Sequence, residues 1–474
     1  MDRSRPDVRS RTRWPVALAA LLALLVVPPA AAQEEEPSRA DTAGQEPRTA
    51  LRSGPMVGYS TMREVALWVQ TRRPAEVQFV YWDTLAPERR YRTRAVRTRA
   101  EDAFAVELDA DSLQPGRTYR YRLRIDGETV ERPYPLLFQS QELWQWRRDP
   151  PSFRIALGSC AYVNEPRYDR PGDPYGGGYE IFRSIHEKRP DAMLWLGDNT
   201  YLREADWNSR FGILHRYSHT RQLEELQPLL GSTHHYAIWD DHDYGPNNSD
   251  RSFWNKELTA EAFRLFWANP CEGGVADLEE GTACTFRWSD VRFFLLDNRW
   301  WRSPNRRTTG ERQMLGDAQI RWLVDALASS HTPFKVIAVG SQVLNPVPGS
   351  ENYARFAGER RALLDRIREE GISGVVFVTG DRHMTELTVL EREGAYPLHD
   401  FTVSPLTSDA YREGGEEPNF RRVDGTLVTE RNFAVMEVDG PRTDRSMTIT
   451  VYDRDGRELW TRSLEARELR SEGE

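Results

Sequence analysis

Hydrophobic and polar positions change rhythm most sharply near residue 150. Between residues 51 and 140 the apolar positions come in short alternating runs: Ala66-Leu67-Trp68-Val69-Gln70, Val77 to Trp82, and Tyr119, Tyr121 and Leu123 behind the Pro115-Gly116 turn. Period-2 alternation in segments rich in aromatic and β-branched residues, with no helical period between them, predicts a small all-β sandwich over 51–143. Trp144 to Pro151 then reads as a linker. From residue 152 strand-like and helix-like segments take turns. Phe153–Gly158, Ala192–Leu196, Val291–Leu296, Phe334–Val339 and Gly374–Thr379 are apolar runs of strand length. Tyr179–Lys188 carries Ile181 and Ile185 one turn apart, Ile320, Leu323, Val324 and Leu327 follow a helical period, and Arg360–Glu370 turns Leu363, Leu364 and Ile367 inward. Alternation returns at Phe433–Val438, Met447–Val451 and Leu459–Leu464, which predicts a closing sheet edge. Strands interleaved with amphipathic helices predict a layered α/β fold over 152–465.

The first 32 residues follow neither rhythm. Arg3 to Arg13 form a positive segment, Pro15 to Val27 an apolar run, and Ala30-Ala31-Ala32 a small-residue cleavage site. That order predicts a secretory signal peptide over 1–32, and the apolar part is short for a membrane span. No adjacent Arg-Arg pair precedes it, so general secretion is expected rather than twin-arginine export. A retained N-terminal anchor is the alternative. Residues 33–50 are polar and free of aromatics, the composition of a disordered lead-in. No other stretch approaches 18 apolar residues, so a protein without a membrane span, secreted or periplasmic, is expected.

Composition narrows the classes further. The 474 residues exceed one compact core, and 39% hydrophobic with 29% charged residues is ordinary for globular chains. A formal net charge of -9 argues against nucleic acid as a stable partner, and loss of residues 1–32, with five Arg and two Asp, would make the balance more acidic. Three cysteines leave one unpaired. Cys271 and Cys284 flank a Gly/Glu-rich loop, and closing it with a disulfide would contribute about 3 kcal/mol in the chain-entropy model. Cys160 remains, at the end of the first α/β strand, where a tight turn suits a ligand better than a core thiol.

Candidate chemistry lies where these strands end. Cys160 follows Phe153–Gly158. Gly197-Asp198-Asn199-Thr200-Tyr201 follows Ala192–Leu196, Trp239-Asp240-Asp241-His242-Asp243 follows Tyr236-Ala237-Ile238, and Gly380-Asp381-Arg382-His383 follows Gly374–Thr379. Ligands of α/β sheets bind outside the carboxyl ends of strands, so four polar clusters at four strand exits point to one shared metal site. The tryptophans read as core and interdomain packing, and Asn247 to Asp250 as a loop.

Together the runs Gly-Ser-Cys, Leu-Gly-Asp-Asn-x-Tyr, Trp-Asp-Asp-His-Asp, Gly-Asp-Arg-His and Leu-Gly-x-x-Gln-x-x-Trp-Leu (Leu315 to Leu323) resemble the alkaline phosphatase D (PhoD-like) family of the calcineurin-like metallophosphoesterases, over about residues 50–465. Leu-x-Pro-Gly-x-x-Tyr-x-Tyr, from Leu113, resembles a fibronectin type III domain. The resemblance implies a β-sandwich flanked by helices behind a small all-β domain. It implies Cys160, Asp198, Tyr201, Asp241, Asp381 and His383 as metal ligands, with Asp198 bridging two ions. It also places His242 at the position of the catalytic histidine, and it implies ferric iron with calcium as cofactors. His242 is expected to act as general acid, and Asn199 is expected on the substrate. The fork of Arg382 is expected on a phosphate oxygen, with a solvent-facing arginine or structural ion pair as the equal alternative. The usual histidine between the third and fourth blocks is missing, and Gln342 is its stand-in. The residue types agree independently: a thiolate and a phenolate favour iron, while carboxylate oxygens suit a hard second ion. The expected activity is hydrolysis of small phosphoesters by metal-activated water. The rivals are a phosphodiesterase or phospholipase-like enzyme acting on lipid head groups or cell-wall polymers, and a catalytically dead binding module. Loops 162–178 and 300–312 would set the pocket width that separates the first two.

Overall fold

A computed structural model describes residues 50–270, 278, 280–349 and 351–471; the expected signal peptide, nearly all of the lead-in, and Cys271 of the expected Cys271–Cys284 pair lie outside the described residues. The N-terminal runs form β1 (Leu51–Ser60), β2 (Val65–Thr71), β3 (Glu76–Asp83), β4 (Ala105–Ala110) and β5 (Thr118–Ile125). Next come β6 (Phe153–Gly158), α1 (Ile181–Glu187), β7 (Ala192–Leu196), α2 (Arg210–Arg221), β8 (His234–Ile238), α3 (Asp241–Tyr244) and α4 (Lys256–Phe266). They are followed by β9 (Cys284–Trp288), β10 (Val291–Leu295), α5 (Asp317–Ala328), β11 (Phe334–Val339), α6 (Ala357–Glu369) and β12 (Val375–Thr379). The chain closes with β13 (Glu386–Arg392), β14 (Ala395–Thr402), β15 (Asn432–Asp439), β16 (Ser446–Asp453) and β17 (Glu458–Glu465).

β6, β7 and β8 run parallel, with Leu157 beside Leu194 and Leu194 beside Tyr236. They occupy the middle of a nine-stranded sheet of order β17-β16-β15-β6-β7-β8-β1-β2-β4, and a second sheet, β9-β10-β11-β12-β14-β13, has six strands. Side chains alternate along a strand, so the central strands bury both faces. Ile155, Leu157, Leu194 and Ile238 share a core with Phe293, Leu295, Val336 and Val376 of the second sheet. Ala156, Met193, Trp195 and Ala237 share another with Ile185, Ile213 and Phe263 of the helices. Burial on both faces is why these segments read as continuous apolar runs. α6 begins at Ala357, ahead of the expected Arg360, because its first turn is held by a polar anchor: Glu359 accepts from the backbone N–H groups of Met314, Leu315 and Gly316 at 2.7, 3.1 and 2.8 Å.

The N-terminal all-β region is present, but three of its strands belong to the main sheet. β1 pairs in parallel with β8, Val57 beside His234. Val57, Leu67, Val69 and Leu108 cover Phe79, Tyr121 and Leu123 of a third sheet, while Met56, Ala66 and Trp68 join the helical core. His234 fastens the junction, its Nδ1 2.8 Å from Gly58 O and its Nε2 accepting from Gln139 N at 3.1 Å; burial pushes its pKa down to about 4, so the ring is neutral. The described residues from 50 to 471 form one compact unit. Among the described residues no helix is long and apolar enough to cross a membrane.

Candidate metal centre

Three of the four polar clusters sit on turns that ordinary residues rarely adopt. Cys160 has φ 60°, Asp198 φ 53°, Asp381 φ 69° and His383 φ 52°, all left-handed. Such backbone costs on the order of 1–3 kcal/mol per residue and persists only where the surroundings enforce it. Here neighbouring turns hold one another: Cys160 N donates to Gly197 O at 3.2 Å, Ala161 N to Asp198 O at 2.8 Å, and Gly380 N to Gly340 O at 3.0 Å. Glycine is required at 197, where φ is 94° and a Cβ would stand 2.7 Å from that of Asp240. The β8 exit is built differently. Asp240 caps α3 in a reciprocal box with Asp243, whose Oδ2 accepts from the backbone of Asp240 at 3.0 Å and of Asn199 at 3.2 Å.

These turns gather Cys160, Asp198, Tyr201, Asp241, His242, Asp381 and His383. Three overlapping groups have donor atoms within 4.8 Å of one another: Cys160 with Asp198 and His383; Asp198 with Asp241 and His242; and Asp198 with Asp240, Asp241 and Asp381. Asp198 belongs to all three. Its Oδ2 lies 3.8 Å from Cys160 Sγ, and its Oδ1 accepts from His242 N at 3.1 Å. Tyr201 Oη lies 3.1 Å from His383 Nε2 and accepts from Ser408 Oγ at 3.1 Å, while its ring stacks on His242 at 4.2 Å. Tyr175 Oη reaches the other ring nitrogen of His383 at 3.1 Å, and Ser404 Oγ donates to Cys160 Sγ at 3.2 Å.

The electrostatics call for cations. Burial, then the neighbouring Asp241, pushes the Asp198 carboxyl far up; burial, then Glu351, does the same to Asp381. Burial, then Asp198, raises the Cys160 thiol, and burial holds the His383 imidazole down to about 4. Asp241 goes the other way: burial would raise it, but His242, Arg299, the Asn248 N–H and Asp198 together hold it down. Among the described residues Asp240 Oδ2 and Asp241 Oδ1 are buried without a hydrogen-bond partner, although polar atoms so placed are normally satisfied. Buried carboxylates with unfilled oxygens, beside a thiol, a phenol and an imidazole, fit metal ions.

Several residues here escaped the sequence analysis. Arg299 Nε lies 2.5 Å from Asp240 Oδ1, and its Nη2 lies 2.5 Å from Glu351 Oε2 and 3.6 Å from Asp241 Oδ1. The signal was available: Asp297-Asn298-Arg299 is a fifth polar cluster at a strand exit, after β10. Asp240 lies in a run already singled out. Gln342 is a correction. Its Nε2 donates to Glu386 Oε1 at 2.7 Å and Thr402 Oγ1 at 2.9 Å, and its Oε1 accepts from Asn345 at 2.8 Å, so every polar atom is engaged away from the ligand groups. Asn199 Nδ2 donates to Ile238 O at 2.8 Å, while its Oδ1 is buried without a hydrogen-bond partner among the described residues. Arg382 is ion-paired with Glu417 and reaches Asn352 Oδ1 at 3.4 Å.

The PhoD-like phosphatase profile matches residues 155–439, which include every cluster above. The chain belongs to the PhoD-like phosphatase family. Residues 48–142 match a domain of unknown function, DUF7800. Alkaline phosphatase D of Bacillus subtilis (strain 168) is 22% identical over 335 residues, 59% of this chain and 53% of that protein. The match thus spans about half the length of this relative. A solved structure of PhoD superposes with TM-score 0.69 at 15% identity, over 90% of this chain and 95% of that one. The purple acid phosphatase PPD1 of yellow lupin (Lupinus luteus) seeds gives TM-score 0.63 at 12% identity, over 87% and 74%. Both share the fold, as expected for a calcineurin-like α/β sandwich.

Proposed function

We propose that this protein is an exported, metal-dependent phosphohydrolase that cleaves phosphoesters with water. The observation that carries the reading is the asymmetry about Asp198, with a thiol, a phenol and an imidazole on one side and carboxylates on the other. Cys160, Tyr201, His383 and Asp198 would hold ferric iron; Asp198, Asp240, Asp241 and Asp381 would hold calcium. When bound, such a pair supplies Lewis-acid polarisation of the phosphoryl oxygens and an acidified water for in-line attack. Asp198, fixed by the His242 N–H, sets the spacing of the two halves. His242, kept in place by its ring stack on Tyr201, protonates the departing alkoxide. Arg382, whose Nη2 is paired with Glu417, would meet a phosphate oxygen through its remaining donors.

Elemental analysis of the exported protein, combined with hydrolysis of p-nitrophenyl phosphate and bis-p-nitrophenyl phosphate, tests this reading and ranks monoesters against diesters. Two metals per chain and cleavage of at least one ester are expected. A protein reconstituted with iron and calcium that cleaves neither would overturn it. N-terminal sequencing should find the mature chain beginning near Gln33.

A further inference from the structure

Residues 304–312 form a loop that leaves and re-enters the fold at one point. Ser303 N donates to Gln313 O at 2.7 Å, and Gln313 N donates to Ser303 Oγ at 3.0 Å. The chain beyond it is pinned by the carboxylate of Glu359. Asn305 is the hub of this loop. Arg302 Nη2 reaches its Oδ1 at 3.4 Å, and Arg312 Nη2 and Arg355 Nη2 both reach its carbonyl at 3.5 Å. Asn305 Nδ2 faces Asn248 Oδ1 at 3.4 Å, and Asn248 N donates to Asp241 Oδ2 at 2.6 Å. Three successive contacts therefore join the two guanidinium groups to a residue of the metal centre.

The carboxylates nearby are already engaged. Glu351 lies between Arg299 and Arg302, at 2.5 and 3.4 Å, and Glu359 is occupied by three backbone N–H groups. Among the described residues Arg312 and Arg355 are in no ion pair, and the Nε of each is buried without a hydrogen-bond partner. Burial, then the adjacent Arg355, holds the Arg312 pKa down, and Phe356 braces its guanidinium at 5.0 Å. The two guanidinium groups lie side by side on the Asn305 carbonyl, each with an Nε donor left for an anion to fill. Guanidinium forks match phosphate oxygens in bidentate geometry.

We infer that Arg312 and Arg355 form a second anion subsite, which binds a further phosphate group of the substrate while the first lies on the metal centre. The subsite presupposes the phosphohydrolase reading given above. It makes the preferred substrates compounds with two phosphate groups joined by a short linker.

Calorimetry on the metal-loaded protein tests this with propylphosphonate and with alkane-α,ω-bisphosphonates of three to six carbons, none of which is hydrolysed. At least one bisphosphonate should bind roughly 10-fold or more tightly than propylphosphonate, as expected for added charge-assisted hydrogen bonds. The advantage should shrink with added salt. In the R312Q/R355Q variant it should fall to about one fifth or less of its wild-type value, and R312K, which keeps the charge but not the fork, should be intermediate. No advantage in the wild type, or an undiminished one in R312Q/R355Q or, should that fail to fold, in R312Q alone, would overturn the subsite. Hydrolysis of p-nitrophenyl phosphate by the same preparation reports on the underlying activity separately.

Discussion

The two sides of Asp198 are supported in opposite ways. On the Cys160 side the supporting groups are neutral: Ser404 on the thiol, Ser408 on the Tyr201 hydroxyl and Tyr175 on the His383 ring. On the Asp241 side the support is a charge, with Arg299 buried between Asp240, Asp241 and Glu351. Hydroxyls orient ligands without adding charge, whereas a buried guanidinium offsets part of a carboxylate cluster that would otherwise be strongly destabilised. One side is thus governed by direction and the other by charge balance.

The comparison can be broken most severely at the shared residue. Asp198→Asn should empty both positions and lower turnover on every ester by roughly 10³-fold or more. If one metal stayed at full occupancy by elemental analysis, Asp198 would belong to one side only. His242→Ala should leave both metals bound but lose roughly 10²–10⁴-fold on alkyl phosphates, whose leaving group needs a proton, and much less on nitrophenyl esters. Equal losses across leaving groups, together with missing metal, would make His242 a ligand. Cys160→Ser should deplete the iron side alone and reduce activity roughly 10²-fold at limiting iron, with the calcium content unchanged. Unaltered iron would make Cys160 a core thiol. The smallest change, Tyr175→Phe, removes one hydroxyl from His383 and should weaken iron retention about 10-fold in a chelator competition, leaving calcium titration as it was. A parallel loss of calcium would mean that the two sides are not supported independently.

Much of the candidate centre was legible because the residues proposed as its ligands lie just past apolar strands, and strand length and apolar content are local signals. Cys160, Asp198, Tyr201, Asp241, His242, Asp381 and His383 do gather in space. What supports them was not legible. Tyr175, Ser404 and Ser408 lie on loops far from their partners in sequence, with no periodicity to mark them; Ser408 and Tyr201 are 207 residues apart. Gln342 had the right location at a strand exit but the wrong direction, since successive residues there turn to different sides. In the fold, the strands were visible as apolar runs. The parallel pairing of β1 with β8 was not, because alternation identifies a strand without naming its neighbour.

That pairing also has a clock. The Gly58 carbonyl and the His234 ring it contacts are 176 residues apart. At about 5–20 residues per second, a synthesising ribosome takes roughly ten to thirty-five seconds to supply the second after the first. For that interval one edge of β1 has its hydrogen-bonding groups exposed, beside the apolar side chains of Met56 and Val57. Until His234 and its strand are in place, that edge is an open template for a strand of a neighbouring chain.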